Sequence, residues 1–192
     1  MYKLCKTEQS AARQRELEKQ LLLLMNTCRY EEITVSDFCA YAGIPRKAFY
    51  RYFSSKDGAL YALLDHTMLE YESYEIPYGP GKNRSMLRDL EGFFSFWKTR
   101  KSLLDALEYS GLSGVLMERA IQYAVNSALL HRLLSEEDPK TQDHIARFCI
   151  CGMMIMMVNW HHEGFRESVQ EMAQIALRLV SQPMFPAWKA IL

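Results

Sequence analysis

At 192 residues the chain is long enough to bury a sizeable core and short enough for one or two small domains. Its 23 Lys and Arg balance 23 Asp and Glu, and no apolar run approaches the roughly 20 residues that cross a bilayer, so neither a membrane-spanning chain nor a uniformly basic one is in view. The five cysteines, Cys5, Cys28, Cys39, Cys149 and Cys151, are odd in number and have no metal-ligand spacing, which reads as reduced, mostly structural thiols and no cofactor.

The opening residues are polar. Lys3 and Lys6 lead into EQSAARQRELEKQ, unlike an apolar secretory segment, so a cytoplasmic location is expected. The first eight residues or so carry no pattern and are expected to be loose. A helix from about Ser10 then carries Leu17, Leu21, Leu24 and Met25 on one stripe and Arg13, Arg15, Glu16, Glu18 and Lys19 mainly on the other face. Its expected role is support, with Tyr30 and Ile33 closing a small core around Phe38, Ala42, Phe49 and Phe53.

The stretch ITVSDFCAYAGIPRKAFYRYFSSK, residues 33–56, organises the rest. Thr34 caps a helix whose third position is Asp37, a variant capping box that also puts a carboxylate at the positive end of the helix dipole. That helix is expected to reach about Ala42. Gly43 supplies a left-handed backbone for a sharp turn, and Pro45 starts a short helix ending at Phe53. On this second helix Phe49 and Phe53 face inward, while Arg46, Lys47, Tyr50 and Arg51 project outward as a cationic, aromatic face. A helix of that size fits a major groove, where arginine reads guanine with two hydrogen bonds and lysine or tyrosine holds phosphate. Charge is distributed to match. Residues 1–56 hold 10 Lys and Arg against 6 Asp and Glu, whereas residues 57–192 hold 13 against 17.

This segment resembles the DNA-binding core of the TetR family of bacterial transcriptional regulators, through ITV at the second helix, CAYAGI at the turn, FYRYF on the third and SKDGALYALL opening the fourth. The match spans about 35 residues; the remainder agrees only in length and helical pattern. The resemblance implies DNA contacts from Thr34, Ser36, Pro45, Arg46, Lys47, Ala48, Tyr50, Arg51, Tyr52 and Lys56. Arg46 and Lys47 would take base edges and nearby phosphates, and Lys56 a phosphate at the start of the fourth helix. Four positions depart from the family pattern. Pro45 and Ala48 stand where serine and threonine are usual, removing two hydroxyls from the DNA face; Arg29 replaces a glycine and Cys39 an alanine.

Beyond Lys56 the pattern is helical throughout. A fourth helix capped by Ser54 or Ser55 runs through Leu60, Leu63, Leu64 and Met68 towards Tyr74 and is the expected lever between two domains, 1–56 and 57–192. IPYGPGKN, residues 76–83, breaks it. Further helices are expected at about 84–100, 101–110, 113–135, 138–162 and 166–182, giving an all-α chain: an N-terminal three-helix DNA-binding domain joined by the fourth helix to a C-terminal ligand-binding and dimerisation domain. FCICGMMIMMV, within 138–162, is apolar on every side and requires burial all round. The family's four-helix dimer interface would supply it through Cys149, Gly152, Met153, Met156, Met157, Met172, Ile175, Ala176 and Leu179, though burial within one subunit is an alternative. The resemblance also implies an effector pocket, for which Phe94, Trp97, Tyr109, Met117, Tyr123, Asn126 and Phe148 are the candidates; a stripe of this kind also serves as plain core. Of the histidines, His161 and His162 are adjacent and should diverge.

The leading reading is therefore a homodimeric transcriptional repressor released from a pseudo-palindromic double-stranded DNA operator by a small-molecule effector. An enzyme is disfavoured, because no nucleophile, metal or glycine-rich phosphate motif is present. An activator or a protein-interaction module with weakened operator binding stays open because of Pro45 and Ala48, and a redox-sensing variant because of the cysteines.

Overall fold

The computed structural model describes residues 1–74, 85–126 and 137–181. The expected break at 76–83, the extension of a helix to residue 135 and the tail PMFPAWKAIL lie outside the described residues. Nine α-helices are present among those described: α1 Glu8–Met25, α2 Val35–Tyr41, α3 Arg46–Tyr52, α4 Lys56–Glu72, α5 Met86–Thr99, α6 Lys101–Tyr109, α7 Ser113–Val125, α8 Pro139–His162 and α9 Val169–Ser181. A single 3-10 turn, Tyr30–Glu32, separates α1 from α2.

Local chemistry sets most of the starts. Thr7 accepts from Ser10 N, Ser55 from Gly58 N and Ser85 from Arg88 N, while Asp138 accepts from Lys140 N and Thr141 N just before Pro139. Each cap satisfies first-turn amides that have no partner inside the helix.

α1, α2 and α3 enclose a small core. Leu17, Leu21, Met25, Phe38, Phe49 and Phe53 are all buried, with Phe38 and Phe49 meeting edge-on at 5.5 Å. Phe53 and Phe49 are 0% and 1% exposed, each contributing about 2–3 kcal/mol of apolar burial. α4 leaves this unit packed on α1 and on α7, so it touches both ends of the molecule. The larger core lies between α5, α7, α8 and α9, centred on Phe94, Trp97 and Trp160, with Phe94 edge-on to Trp160 at 5.5 Å.

One expectation is corrected by this packing. The first residues are tied down: Tyr2 forms an antiparallel bridge with Phe53, and Lys3 N donates to Tyr52 O at 2.9 Å. α8 is two-sided within the subunit. Ala146, Met154, Met157 and Trp160 face the core, while Phe148, Cys149, Gly152 and Ile155 are exposed.

Candidate nucleic-acid interface

The turn between α2 and α3 follows from three residues. Thr34 Oγ1 accepts from Asp37 N at 3.1 Å, and Asp37 Oδ2 accepts from Thr34 N at 3.0 Å, the reciprocal capping box read in the sequence. The Thr34 hydroxyl also donates to Asp37 at 2.6 Å; together these bonds hold the Asp37 carboxyl below the usual carboxylate range. Thr34 is thus committed to its own helix. Gly43 has φ +62°, a conformation that costs other residues about 1 kcal/mol or more, and Pro45 precedes α3 with φ −71°.

α3 then presents its faces as its spacing requires. Pro45, Arg46, Lys47, Tyr50 and Arg51 are exposed, Ala48 and Tyr52 half-buried, and Phe49 turned into the core. Among the described residues, no ion pair neutralises Arg46, Lys47 or Arg51, so three cations share one short surface. Ser36 on α2 is exposed beside the turn. Cys39 is buried, which pushes its thiol up despite the nearby Arg46 charge.

Lys56 makes contacts within the chain that its position at the start of α4 does not announce. Its Nζ donates to Tyr30 O at 2.6 Å and lies 4.3 Å from the centre of the Tyr30 ring, with Glu31 O at 3.4 Å. The ammonium is engaged by the 3-10 turn instead of being directed outward. Lys3, which carried no sequence signal, adds a cation here: its Nζ donates to Tyr50 O at 2.9 Å, at the end of α3. The bond joins residues 47 apart, so no local motif announces it.

The expected effector residues differ widely in exposure. Phe94 and Trp97 are 0% and 1% exposed in closed core, whereas Tyr109 and Phe148 are 56% and 67% exposed on the surface. Phe148 sits on the outer side of α8, roughly 120–180° around the helix from buried Ala146, Met154, Met157 and Trp160, and apolar composition alone concealed that side. Met117 and Tyr123 are half-buried on α7, where burial and the Glu72 carboxylate push the Tyr123 phenol up. Asn126 is exposed and donates to Gln122 O. An open groove of about 440 Å³ lies elsewhere, lined by Glu108, Ser113, Ile155, Met156, Asn159 and His162 among others.

His161 and His162 diverge as adjacent helical residues should, the first buried and the second exposed. Glu108 spans both: its Oε2 is 3.3 Å from His161 Nδ1, and its Oε1 meets His162 Nδ1, raising the His162 pKa. His161 Nε2 lies 2.8 Å from Asp105 Oδ1, linking α6 to α8. A long, flexible glutamate bridges two rings that helix geometry splays apart.

The nine expected dimer residues divide. Cys149, Gly152 and Leu179 are exposed and Met153, Met156 and Ile175 half-buried, but Met157, Met172 and Ala176 are buried within the subunit's own core. The last three fall on the inward side of α8 and α9, against α7 and α5.

No protein-family model and no curated protein sequence matches the chain. Solved structures do. The fatty acid degradation regulator FadR from Bacillus halodurans superposes with a TM-score of 0.60 at 12% identity, over 94% of this chain and 98% of that one. The dihydroxyacetone kinase operon activator DhaS gives 0.55 at 15% identity, over 88% and 93%. The TetR-family repressor AlkX from Dietzia sp. strain DQ12-45-1b, implicated in n-alkane biodegradation, gives 0.53 at 18% identity, over 86% and 91%. All-helical throughout its described residues, the chain has the fold of the TetR-family transcriptional regulators.

Proposed function

We propose that the chain is a sequence-specific, DNA-binding transcriptional regulator that acts as a homodimer and answers to a small-molecule effector. The observation that carries this is the face of α3, where Arg46, Lys47 and Arg51 stand exposed without acidic partners among the described residues. Unneutralised cations on a groove-sized helix favour phosphate and base edges through counterion release and bidentate hydrogen bonds. Arg46 is assigned to base reading, Lys47 and Arg51 to phosphate and adjacent bases, and Ser36, Tyr50 and Tyr52 to backbone positioning. Residues 1–56 form the DNA-reading unit and residues 57–192 the effector and dimerisation unit, in the cytoplasm.

The outer side of α8 and α9 supports the dimer. Phe148, Ile155, Leu179 and Val180 are 67%, 52%, 43% and 50% exposed, an apolar surface that a second copy covers. Two copies of α3 then reach successive major grooves, about one helical turn apart. An effector changes operator affinity only by preferring one spacing of those helices. Both an activator and a repressor share the fold, so release from the operator is proposed here as the simpler of two signs of control.

Selection of bound fragments from random duplex DNA at about 150 mM salt, where non-specific electrostatic binding is much reduced, tests the reading. Enrichment of an inverted repeat is expected. A folded dimer that enriches nothing would turn the assignment towards a protein-interaction module, the reading that the absent hydroxyls at Pro45 and Ala48 favour.

A further inference from the structure

The first residues of the chain run back along the end of α3 and the start of α4. Lys3 alone satisfies two carbonyls there, its N–H donating to Tyr52 O and its ammonium to Tyr50 O, each at 2.9 Å. A cation at the carbonyl end of a helix also matches the helix dipole. Two residues before, Met1 O accepts from Ser54 N at 3.1 Å. The contact with α4 is so close that a Cβ on Gly58 would lie 2.2 Å from Met1 O. Only glycine lets the arm lie there.

Tyr2 ties this arm to the other half of the molecule. Its hydroxyl donates to Asp65 Oδ2 on α4 at 2.9 Å, and the same carboxylate accepts from Arg119 Nε on α7 at 2.7 Å, with Arg119 Nη2 on Oδ2 as well. The Arg119 and Asp65 side chains are 24% and 16% exposed, enough screening from water for the pair to fix the carboxylate's direction. The Tyr2 ring meets His66 edge-on at 5.5 Å, and Gln14 Nε2 donates to Lys3 O at 3.3 Å. One carboxylate thus serves both α7 and the arm that holds α3.

We propose that the arm is a strap that positions the recognition helix, with Tyr2 as the positioning residue and the Arg119–Asp65 pair as its latch. This rests on the DNA-reading function proposed above and adds a route for its control. A displacement of α7 that draws Arg119 off Asp65 frees the carboxylate to turn. Tyr2 then loses its acceptor, and the strap loosens from α3 without any need for α4 to move as a lever.

Amide hydrogen exchange at Lys3 and Ser54 in the full chain, read without DNA, tests the strap directly. Tyr2→Phe and Arg119→Met should each raise exchange at both amides by about 5-fold or more, and the double variant should add little to Tyr2→Phe alone. On a duplex selected by the wild-type protein, both should weaken binding about 3- to 30-fold, with less effect on a scrambled duplex. Unchanged exchange at Ser54 in a folded Arg119→Met variant would overturn the latch. Gly58→Ala covers the case in which Arg119→Met fails to fold, because alanine suits a helix better than glycine while displacing Met1. Wild-type exchange and wild-type duplex affinity in Gly58→Ala would overturn the positioning role. Failure to select any duplex sinks the DNA-reading function while leaving the exchange result readable.

Discussion

Lys56 Nζ lies 2.6 Å from the carbonyl oxygen of Tyr30 and 4.3 Å from the centre of its ring, so the first residue of α4 fastens the turn that follows α1. A charged hydrogen bond and a cation–π contact of this kind together stabilise by about 1–2 kcal/mol. Lys56→Met should therefore lower the melting temperature by about 2–6 °C for a chain of this size. It should leave the slope of DNA affinity against salt unchanged. A slope reduced by about one ion would return Lys56 to the phosphate role that the resemblance implies.

Arg46 and Lys47 are expected to separate in their effects. Arg46→Ala should cost about 1–3 kcal/mol on a selected duplex and relax the preference at one or two base pairs. Lys47→Ala should weaken all duplexes alike and reduce the salt slope by about one. Parallel titrations on the selected and a scrambled duplex distinguish the two, and equal losses on both duplexes from Arg46→Ala would remove it from base reading.

The outer side of α8 gives a test of the dimer that spares the subunit core. Phe148 and Ile155 are exposed, so a charge at either leaves intramolecular packing intact. Ile155→Glu should yield folded monomers by sedimentation velocity, with the wild-type helical content by circular dichroism. Binding to an inverted repeat should fall by at least about 100-fold, since a single half-site contact loses the second half's contribution. A dimer persisting in both Phe148→Glu and Ile155→Glu would move the interface elsewhere.

Glu18 supplies a dependence on pH. The residue is 2% exposed, against His66 on α4, and burial pushes its carboxyl up to about 8 from an ordinary 4.5, opposed by Arg15 and reinforced by Glu70 and Asp65. Between those values the folded chain retains a proton that the unfolded chain has released. Stability is therefore lost as pH rises through that window, by at most about 1.4 kcal/mol per pH unit. Glu18→Gln keeps the shape and removes the charge. Its melting temperature should gain on that of the wild type progressively from about pH 5 to pH 8, whereas parallel curves would mean that His66 keeps Glu18 ionised throughout.

What was legible in the sequence acts over a few residues. Thr34, Asp37, Gly43 and Ser55 shape their own turns, and Phe49 and Phe53 recur at helical spacing, so the helix boundaries and the inward face of α3 follow directly. The Lys56–Tyr30 bond spans 26 residues and the Tyr2–Asp65 bond 63, and no periodicity encodes either. α8 failed for a different reason. Where nearly every position is apolar, the pattern has no phase, and only packing against α7 decides that Met157 turns inward and Phe148 outward. Residue type alone groups Tyr109 and Phe148 with Phe94 and Trp97, and type is blind to side.

Gly58 records the strap in a single letter. A helix interior normally disfavours glycine, and here the bare α-carbon is the imprint of a backbone lying across it. Any side chain at the third position of α4 would exclude the Met1 backbone from its path, so the bare α-carbon and the arm are two halves of one fit.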